Sequence, residues 1–414
     1  MKILHISTGF PISYQGGITN YVRAIAESQV CAGHNVFVLC GPGSKGTFSF
    51  HIQEYHSDKI IPYKWKAPKD PEKLKQIKDF IDKEQFDIIH VHMALDVDWN
   101  LYDILKPYIY IISLHDYYFL CPRIQMIKGD RSHCSSYEEK KCSQCISLLN
   151  MIRFFNGLEY RIRHQLGFKS FRLPPLPQRM TKNRFLHFKQ LLEGAKVLLP
   201  VSNRVKEIFC ESGIDGLYKV LHIGNITADE FKKDFFWDES KKIIDVVMLG
   251  TLSYIKGADL FIKIAEKLDK KRFKIHFYGR SQSYAKKIRN AGIIDHGPYK
   301  QSDLGTLLNN MDLGLVLSVW EDNAPQVVME FLNNHVPVVG TRLGGIPDFV
   351  NERNGILFNP YSEDDFSRMI NSLNCLSRED IKKMKMNIVP TTTTQEHMRA
   401  LNDVYEQVYA SKKI

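Results

Sequence analysis

The stretch Trp320-Glu321-Asp322-Asn323-Ala324-Pro325-Gln326-Val327-Val328-Met329-Glu330 decides how this chain is read. The apolar run Leu313 to Leu317 precedes it, and Val336 to Val339 follows, with Gly344-Gly345-Ile346-Pro347 closing the block. Both runs are short and rich in Leu or Val, as strands buried on both faces are. Between them Pro325 opens a helical pattern, a position where its missing N–H is no loss. The order is strand, acidic loop, helix, strand and glycine turn, one βαβ unit of a parallel sheet.

The pattern recurs upstream. Ile243 to Leu249 is a strand ending in Gly250, Ala258 to Leu268 a helix, Phe273 to Phe277 a strand ending in Gly279, and Tyr284 to Ala291 a helix. Near the start, Lys2 to Ser7 is a strand followed by a loop ending at Gly16-Gly17. A helix over Thr19 to Ala32, stopped by Gly33-His34, leads to the strand Val36 to Leu39. Ile88 to Val91, Ile109 to Leu114 and Val197 to Val201 continue this first series. Two such series in 414 residues predict two Rossmann-like domains with parallel sheets, ligands being held in a central cleft at the carboxyl ends of the strands. We place the first domain at 1–221 and the second at 222–393, with a terminal helix in 394–414 that fits against either.

The first loop lacks the full GxGxxG spacing and the phosphate-loop GK[ST], which disfavours a dinucleotide dehydrogenase or an ATPase. Gly16 and Gly17 before a helix still offer backbone N–H groups to an anion; the plainer reading is a tight turn. No apolar run approaches the roughly 18 residues of a membrane-span candidate. Met1 to Phe10 lacks a signal-peptide core, so a cytoplasmic protein is expected.

The net charge of +10 is uneven: Arg153 to Lys196 has ten Lys or Arg against two Glu, with Phe154, Phe155, Phe185 and Phe188 interleaved. Such a segment suits peripheral contact with an anionic membrane, or else is a solvated basic face whose aromatics pack inward. Nucleic acid is disfavoured, because no residue pattern of its usual binding folds is present.

Cys121, Cys134, Cys142 and Cys145 are spaced C-x12-C-x7-C-x2-C in a segment rich in Lys, Ser and Glu. Four thiolates suit tetrahedral Zn²⁺, which would staple an insertion with little core of its own. Reduced thiols or a redox pair are the alternatives, structural disulfides being disfavoured in a cytosolic protein.

The block from Trp320 to Glu330, with Pro337-Val338-Val339-Gly340 and Gly344-Gly345, resembles the donor-binding region of retaining glycosyltransferases of family 4, which have the two-domain GT-B fold. Gly16-Gly17, His115-Asp116 and Lys256-Gly257 extend the resemblance over nearly the whole chain. It departs from the family at two places. The family carries two Glu separated by seven residues; eight before Glu330 stands Asp322, which we favour for the first acidic role, with Glu321 as the alternative. The Arg often found after the glycine of the first strand is here Thr251, with Arg280 a candidate substitute.

The resemblance implies a nucleoside-diphosphate sugar as donor and a saccharide or polyprenyl-linked saccharide as acceptor. It implies that Glu330 receives ribose hydroxyls, that Asp322 or Glu321 binds the transferred sugar, and that N–H groups near Asn323 and Ala324 help hold pyrophosphate or sugar. Tyr299 lies in the segment expected against the base, and His115 is expected near the reacting carbon. Lys256, just before a helix start, is placed to meet the negative charge that grows on the leaving diphosphate. That chemistry needs no catalytic cofactor or divalent metal; Asp96-Val97-Asp98 has a metal-site spacing but follows a strand on the acceptor side. A sugar-nucleotide epimerase, a phosphorylase, or a carbohydrate- or membrane-binding protein without turnover are the rival readings.

Overall fold

In a computed structural model the protein is described over residues 1–11, 16–55, 71–93, 101–128, 131–145, 162, 166–168, 175, 177–224, 231–232 and 234–411. Asp96-Val97-Asp98 and most of the basic stretch before residue 177 lie outside the described residues. The chain forms two compact units, Met1–Leu221 together with Met398–Ile414, and His222–His397.

The first unit runs β1 (Lys2–Ile6), α1 (Gly17–Cys31), β2 (Asn35–Cys40), β3 (His51–Glu54), α2 (Pro71–Glu84), β4 (Ile88–Val91), α3 (Leu101–Leu105), β5 (Tyr110–Leu114), α4 (Glu139–Cys145), α5 (Gln178–Glu193), β6 (Leu198–Pro200) and α6 (Asn203–Glu211). Among the described residues its strands form one sheet in the order β3-β2-β1-β4-β5-β6, every pair parallel. β4 and β5 are buried at every position, as strands covered by helices on both faces must be.

The second unit runs β7 (Ile244–Thr251), α7 (Ala258–Lys267), β8 (Phe273–Arg280), α8 (Ala285–Asn290), β9 (Ile294–Asp295), α9 (Leu304–Leu308), β10 (Leu313–Val316), α10 (Gln326–Asn333), β11 (Val338–Thr341), β12 (Gly355–Phe358), α11 (Glu363–Cys375) and α12 (Arg378–Met386). Its sheet is ordered β12-β11-β10-β7-β8-β9, again all parallel. Alternate residues of each strand feed opposite cores. Val246 and Met248 of β7 join Phe261 and Ile264 of α7 and Phe366 of α11. Val247 and Leu249 join Leu304 and Leu308 of α9 and Val328 and Phe331 of α10.

Both orders are that of a doubly wound Rossmann sheet, in which the sequence of strands reverses once. The reversal falls between β1 and β4 in the first sheet and between β7 and β10 in the second. Gly16-Gly17 follows β1, Lys256 follows β7 and Asp322 follows β10, whereas His115 and Arg280 lie one strand out, at the ends of β5 and β8. The fold is thus the pair of parallel α/β domains expected from the sequence.

The structure moves some edges. The first helix begins at Gly17 instead of Thr19, and the helix expected over Tyr284 to Ala291 shortens to α8 behind a 3-10 turn at Gln282–Tyr284. The terminal helix α13 (Thr394–Ala410) belongs with the first unit from Met398 onward, where Tyr405 is fully buried.

One charged residue of the basic stretch needs correction. Arg184 on α5 is buried, its guanidinium donating to the Tyr118 and Phe119 carbonyls and lying over the Tyr118 and Phe188 rings. Phe188 is buried as well. Both clamp the turn after His115-Asp116 and neither offers a surface to lipid.

Candidate functional site

The loop after β7 is built to hold Lys256 at the strand tips. Ile255 O accepts from Val319 N–H at 2.9 Å, tying the loop to the end of β10. Gly257 then turns into α7 at φ 79°, and a Cβ there would lie 1.9 Å from Leu317 O, so only glycine fits. Between these anchors the Lys256 Nζ reaches Asp322 Oδ2 at 2.6 Å, and Ser318 Oγ donates to the same oxygen at 2.8 Å. The Asp322 side chain is 9% exposed and that of Lys256 44%, so a buried carboxylate presents its cation outward. Thr251 and Arg280 are exposed register partners at the ends of β7 and β8. Arg280 therefore stands one strand away from the position where family resemblance expects an arginine.

The glycine turn after β11 clasps the acidic loop. Gly344 N–H donates to Glu321 Oε2 at 2.8 Å, and Gly345 N–H to Asp322 O at 2.7 Å. Glu321 is 1% exposed, its carboxylate engaged with backbone, whereas Asp322 is the acid that meets Lys256. Asn323 is buried beside them and Ala324 half-buried. Two donors here, Trp320 Nε1 and Gln326 Nε2, are buried without an acceptor among the described residues. Buried donors normally find partners, so these two are exceptions among the described residues.

Glu330 is buried on α10 and accepts from Gln301 Nε2 at 3.2 Å. The half-buried Tyr299 phenol is pushed up to about 12 by burial and by the nearby Glu330 charge. Tyr299, Gln301 and Glu330 thus form one group. Ser318 and Gln301 were not singled out in the sequence. Ser318, the first polar residue after the Leu313 to Leu317 run, was the available signal; Gln301 left none.

In the first unit Gly16 and Gly17 precede α1, whose Asn20 N–H reaches Gly16 O at 3.1 Å. His115 follows β5, half-buried, with the Tyr21 ring edge-on at 4.7 Å and its Nε2 3.1 Å from His92 Nδ1. Asp116 next to it accepts from Tyr118 N–H at 2.8 Å, and burial raises its carboxyl to about 6 against that bond and the Arg184 charge. Behind His115 lies a histidine cluster absent from the sequence reading. His5, His90 and His92 are buried, with ring nitrogens within 4.8 Å of one another.

Cys121, Cys134, Cys142 and Cys145 line one pocket with Ile127 and Lys141. Cys142 and Cys145 lie one turn apart on α4, and Cys134 follows a short antiparallel bridge, Ile127 to His133. The sulfurs stand wider than the imidazoles: among the described residues His5, His90 and His92 form the group within 4.8 Å.

Two doubly wound parallel sheets, one in each unit, define a two-domain α/β protein of the GT-B class. The sequence matches Glycosyltransferase Family 4 over residues 15–224 and Glycosyl transferases group 1 over residues 244–374; the chain belongs to glycosyltransferase family 4. No curated protein matches its sequence significantly. Solved structures share its fold at low identity. A glycosyltransferase from Rickettsia africae ESF-5 is 16% identical with a TM-score of 0.61, covering 98% of each chain. The lipopolysaccharide outer core galactosyltransferase WaaB is 12% identical with a TM-score of 0.63 over 100% of both chains. Anabaena Alr3699/HepE, solved in complex with UDP and glucose, is 14% identical with a TM-score of 0.57, covering 99% of this chain and 100% of that one.

Proposed function

We propose that this protein transfers a hexose-type sugar, with retention, from a nucleoside-diphosphate sugar to a saccharide or lipid-linked saccharide acceptor of surface-polysaccharide or glycolipid synthesis. The observation that carries the reading is the Lys256–Asp322 pair at 2.6 Å, seated where the second sheet reverses and followed by the buried Glu330. Glu330 and Tyr299 take the nucleoside, the carboxylate accepting the ribose hydroxyls. Asp322 takes hydroxyls of the transferred sugar, and N–H groups about Asn323 and Ala324 support the diphosphate. Glu321, occupied by Gly344, shapes the loop. The bond from the anomeric carbon to the diphosphate breaks, and the acceptor oxygen bonds that carbon on the same face. The acceptor proton passes to the leaving phosphate. Charge grows on that phosphate, where Lys256 and the start of α7 oppose it, aided by Arg280, so the step calls for no divalent metal. His115 orients the sugar. The test is acceptor-dependent nucleotide release from a panel of UDP-, GDP- and ADP-sugars. Release without acceptor dependence, or none from any donor, overturns transfer in favour of an epimerase or a binding protein.

For the cysteine pocket we assign a structural Zn²⁺. Four sulfur donors around one small pocket in a loop-rich segment fit it, the thiols drawing together on the ion. Purified protein should carry about one zinc per chain, lost when Cys142 and Cys145 become serine. Elemental analysis that finds no zinc in protein made without chelator leaves reduced thiols or a redox pair.

A peripheral membrane contact is favoured by Leu166, Phe168 and Leu186, 65, 64 and 44% exposed within the basic stretch. No helix among the described residues is long and apolar enough to cross a membrane. Each lysine or arginine near anionic lipid contributes about 1 kcal/mol. Neutralising the exposed Arg179 and Lys182 should therefore reduce sedimentation with phosphatidylserine vesicles at low salt several-fold. Equal sedimentation removes the membrane contact and leaves transfer untouched.

A further inference from the structure

His5, His90 and His92 invite a metal, but their hydrogen bonds argue otherwise. Strand alternation and register put them on one face: His5 lies opposite His90 in the parallel pair, His92 is two residues on, and Ser113 and His115 repeat the step beside them. Gln29, eight residues after Tyr21 on α1, reaches the same face. His5 Nε2 meets Gln29 Oε1 at 2.7 Å and His5 Nδ1 meets His92 Nε2 at 2.9 Å. His92 Nδ1 meets His115 Nε2 at 3.1 Å. His90 is held by Tyr405 OH at 2.6 Å and Ser113 Oγ at 2.8 Å. All six ring nitrogens of the three buried imidazoles are engaged, so a cation would have to break this network to gain a ligand.

We propose that Gln29, His5 and His92 form a buried relay that sets the tautomer of His115, placing its proton on Nε2 and its lone pair on Nδ1. An amide oxygen only accepts, so the proton between Gln29 and His5 belongs to His5 Nε2. With Oε1 toward His5, Gln29 Nε2 is buried and has no hydrogen-bond partner among the described residues. Burial holds His5 neutral, its pKa lowered to about 4, so its Nδ1 is bare and accepts from His92 Nε2–H. A neutral His92 then has a bare Nδ1, which accepts from His115 Nε2–H. In each neutral ring the hydrogen bond at one nitrogen dictates the state of the other. Gln29, His5 and His92 are positioning residues; His115 is the group at the sugar. On the transfer reading, which this inference extends, His115 meets a sugar hydroxyl as an acceptor and supplies no proton from Nδ1.

The test is long-range ¹H–¹⁵N spectroscopy of the imidazoles in the full chain at neutral pH, with His115→Asn used to assign the signal. Wild type should show His115 protonated at Nε2 only. Gln29→Met, which keeps length and removes the acceptor three links away, should return His115 to a tautomer mixture, as should His92→Leu. Their kcat should fall about tenfold with donor KM nearly unchanged, the low end for partners that orient a functional imidazole. A wild-type His115 protonated at Nδ1 overturns the relay, whether or not the variants fold. So does an unchanged tautomer in folded Gln29→Met and His92→Leu. Absent transfer with the expected spectra defeats the transferase reading alone.

Discussion

Replacing Lys256 by alanine is expected to lower kcat/KM for sugar transfer about 10²- to 10³-fold, the range for removing one preorganised donor from a developing anion. The side chain stands between the Ile255–Val319 tie and the Gly257 turn, so its position is set by backbone before any donor arrives. Its partner carboxylate is nearly buried, and the ion pair keeps the ammonium oriented. An ammonium already in place needs no reorganisation when charge develops, which is the condition for a large electrostatic effect. Lys263, paired with Glu363 on the surface, provides the control. Its removal should leave transfer unchanged, because exposed pairs contribute little. Initial rates of nucleotide release under limiting donor measure both, and equal rates for Lys256→Ala and wild type would remove Lys256 from the chemistry.

The second large effect is steric. A Cβ at Gly344 would lie 2.0 Å from Asp322 O and 2.4 Å from Asp322 N, with φ at 56°. The left-handed backbone costs about 1–2 kcal/mol for a non-glycine residue. Forcing atoms into a packed site typically adds about 1–3 kcal/mol. Gly344→Ala should therefore destabilise the second unit by roughly 3 kcal/mol and shift the loop that carries Asp322. At Gly297, φ is 73° but a Cβ meets nothing within 4 Å. Gly297→Ala should show the backbone cost alone. Urea unfolding that finds the two variants equally stable would show that the clasp on Asp322 yields without cost.

These two sites show what the sequence could and could not convey. Apolar runs ending in Gly250 and Gly279 and the helix opened by Pro325 read directly as α/β units, because buried parallel strands leave uninterrupted Val and Leu. Strand order did not, since Rossmann order depends on which strands pair across crossovers and not on local pattern. β9, at two residues, is too short for periodicity to register. Between Glu321 and Asp322 the motif favoured Asp322 with Glu321 as the alternative, and it gave no sign of the Gly344 N–H that bonds Glu321 from 23 residues on. The histidine relay stayed hidden for a different reason. A lone histidine in an apolar strand reads as core, and His5, Gln29, His92 and His115 become a unit only through register. His90-Val91-His92, two imidazoles on one face of a buried strand, was the clue available.

Whether the second unit holds the nucleoside diphosphate of a sugar donor is tested most directly by calorimetric titration with UDP, GDP and ADP. One of the three should bind wild type, with Glu330→Ala weakening it about 10- to 100-fold, as expected for losing hydrogen bonds to a charged group worth about 1.5–3 kcal/mol. Wild type that binds none of them, or Glu330→Ala that binds as tightly as wild type, would contradict the account.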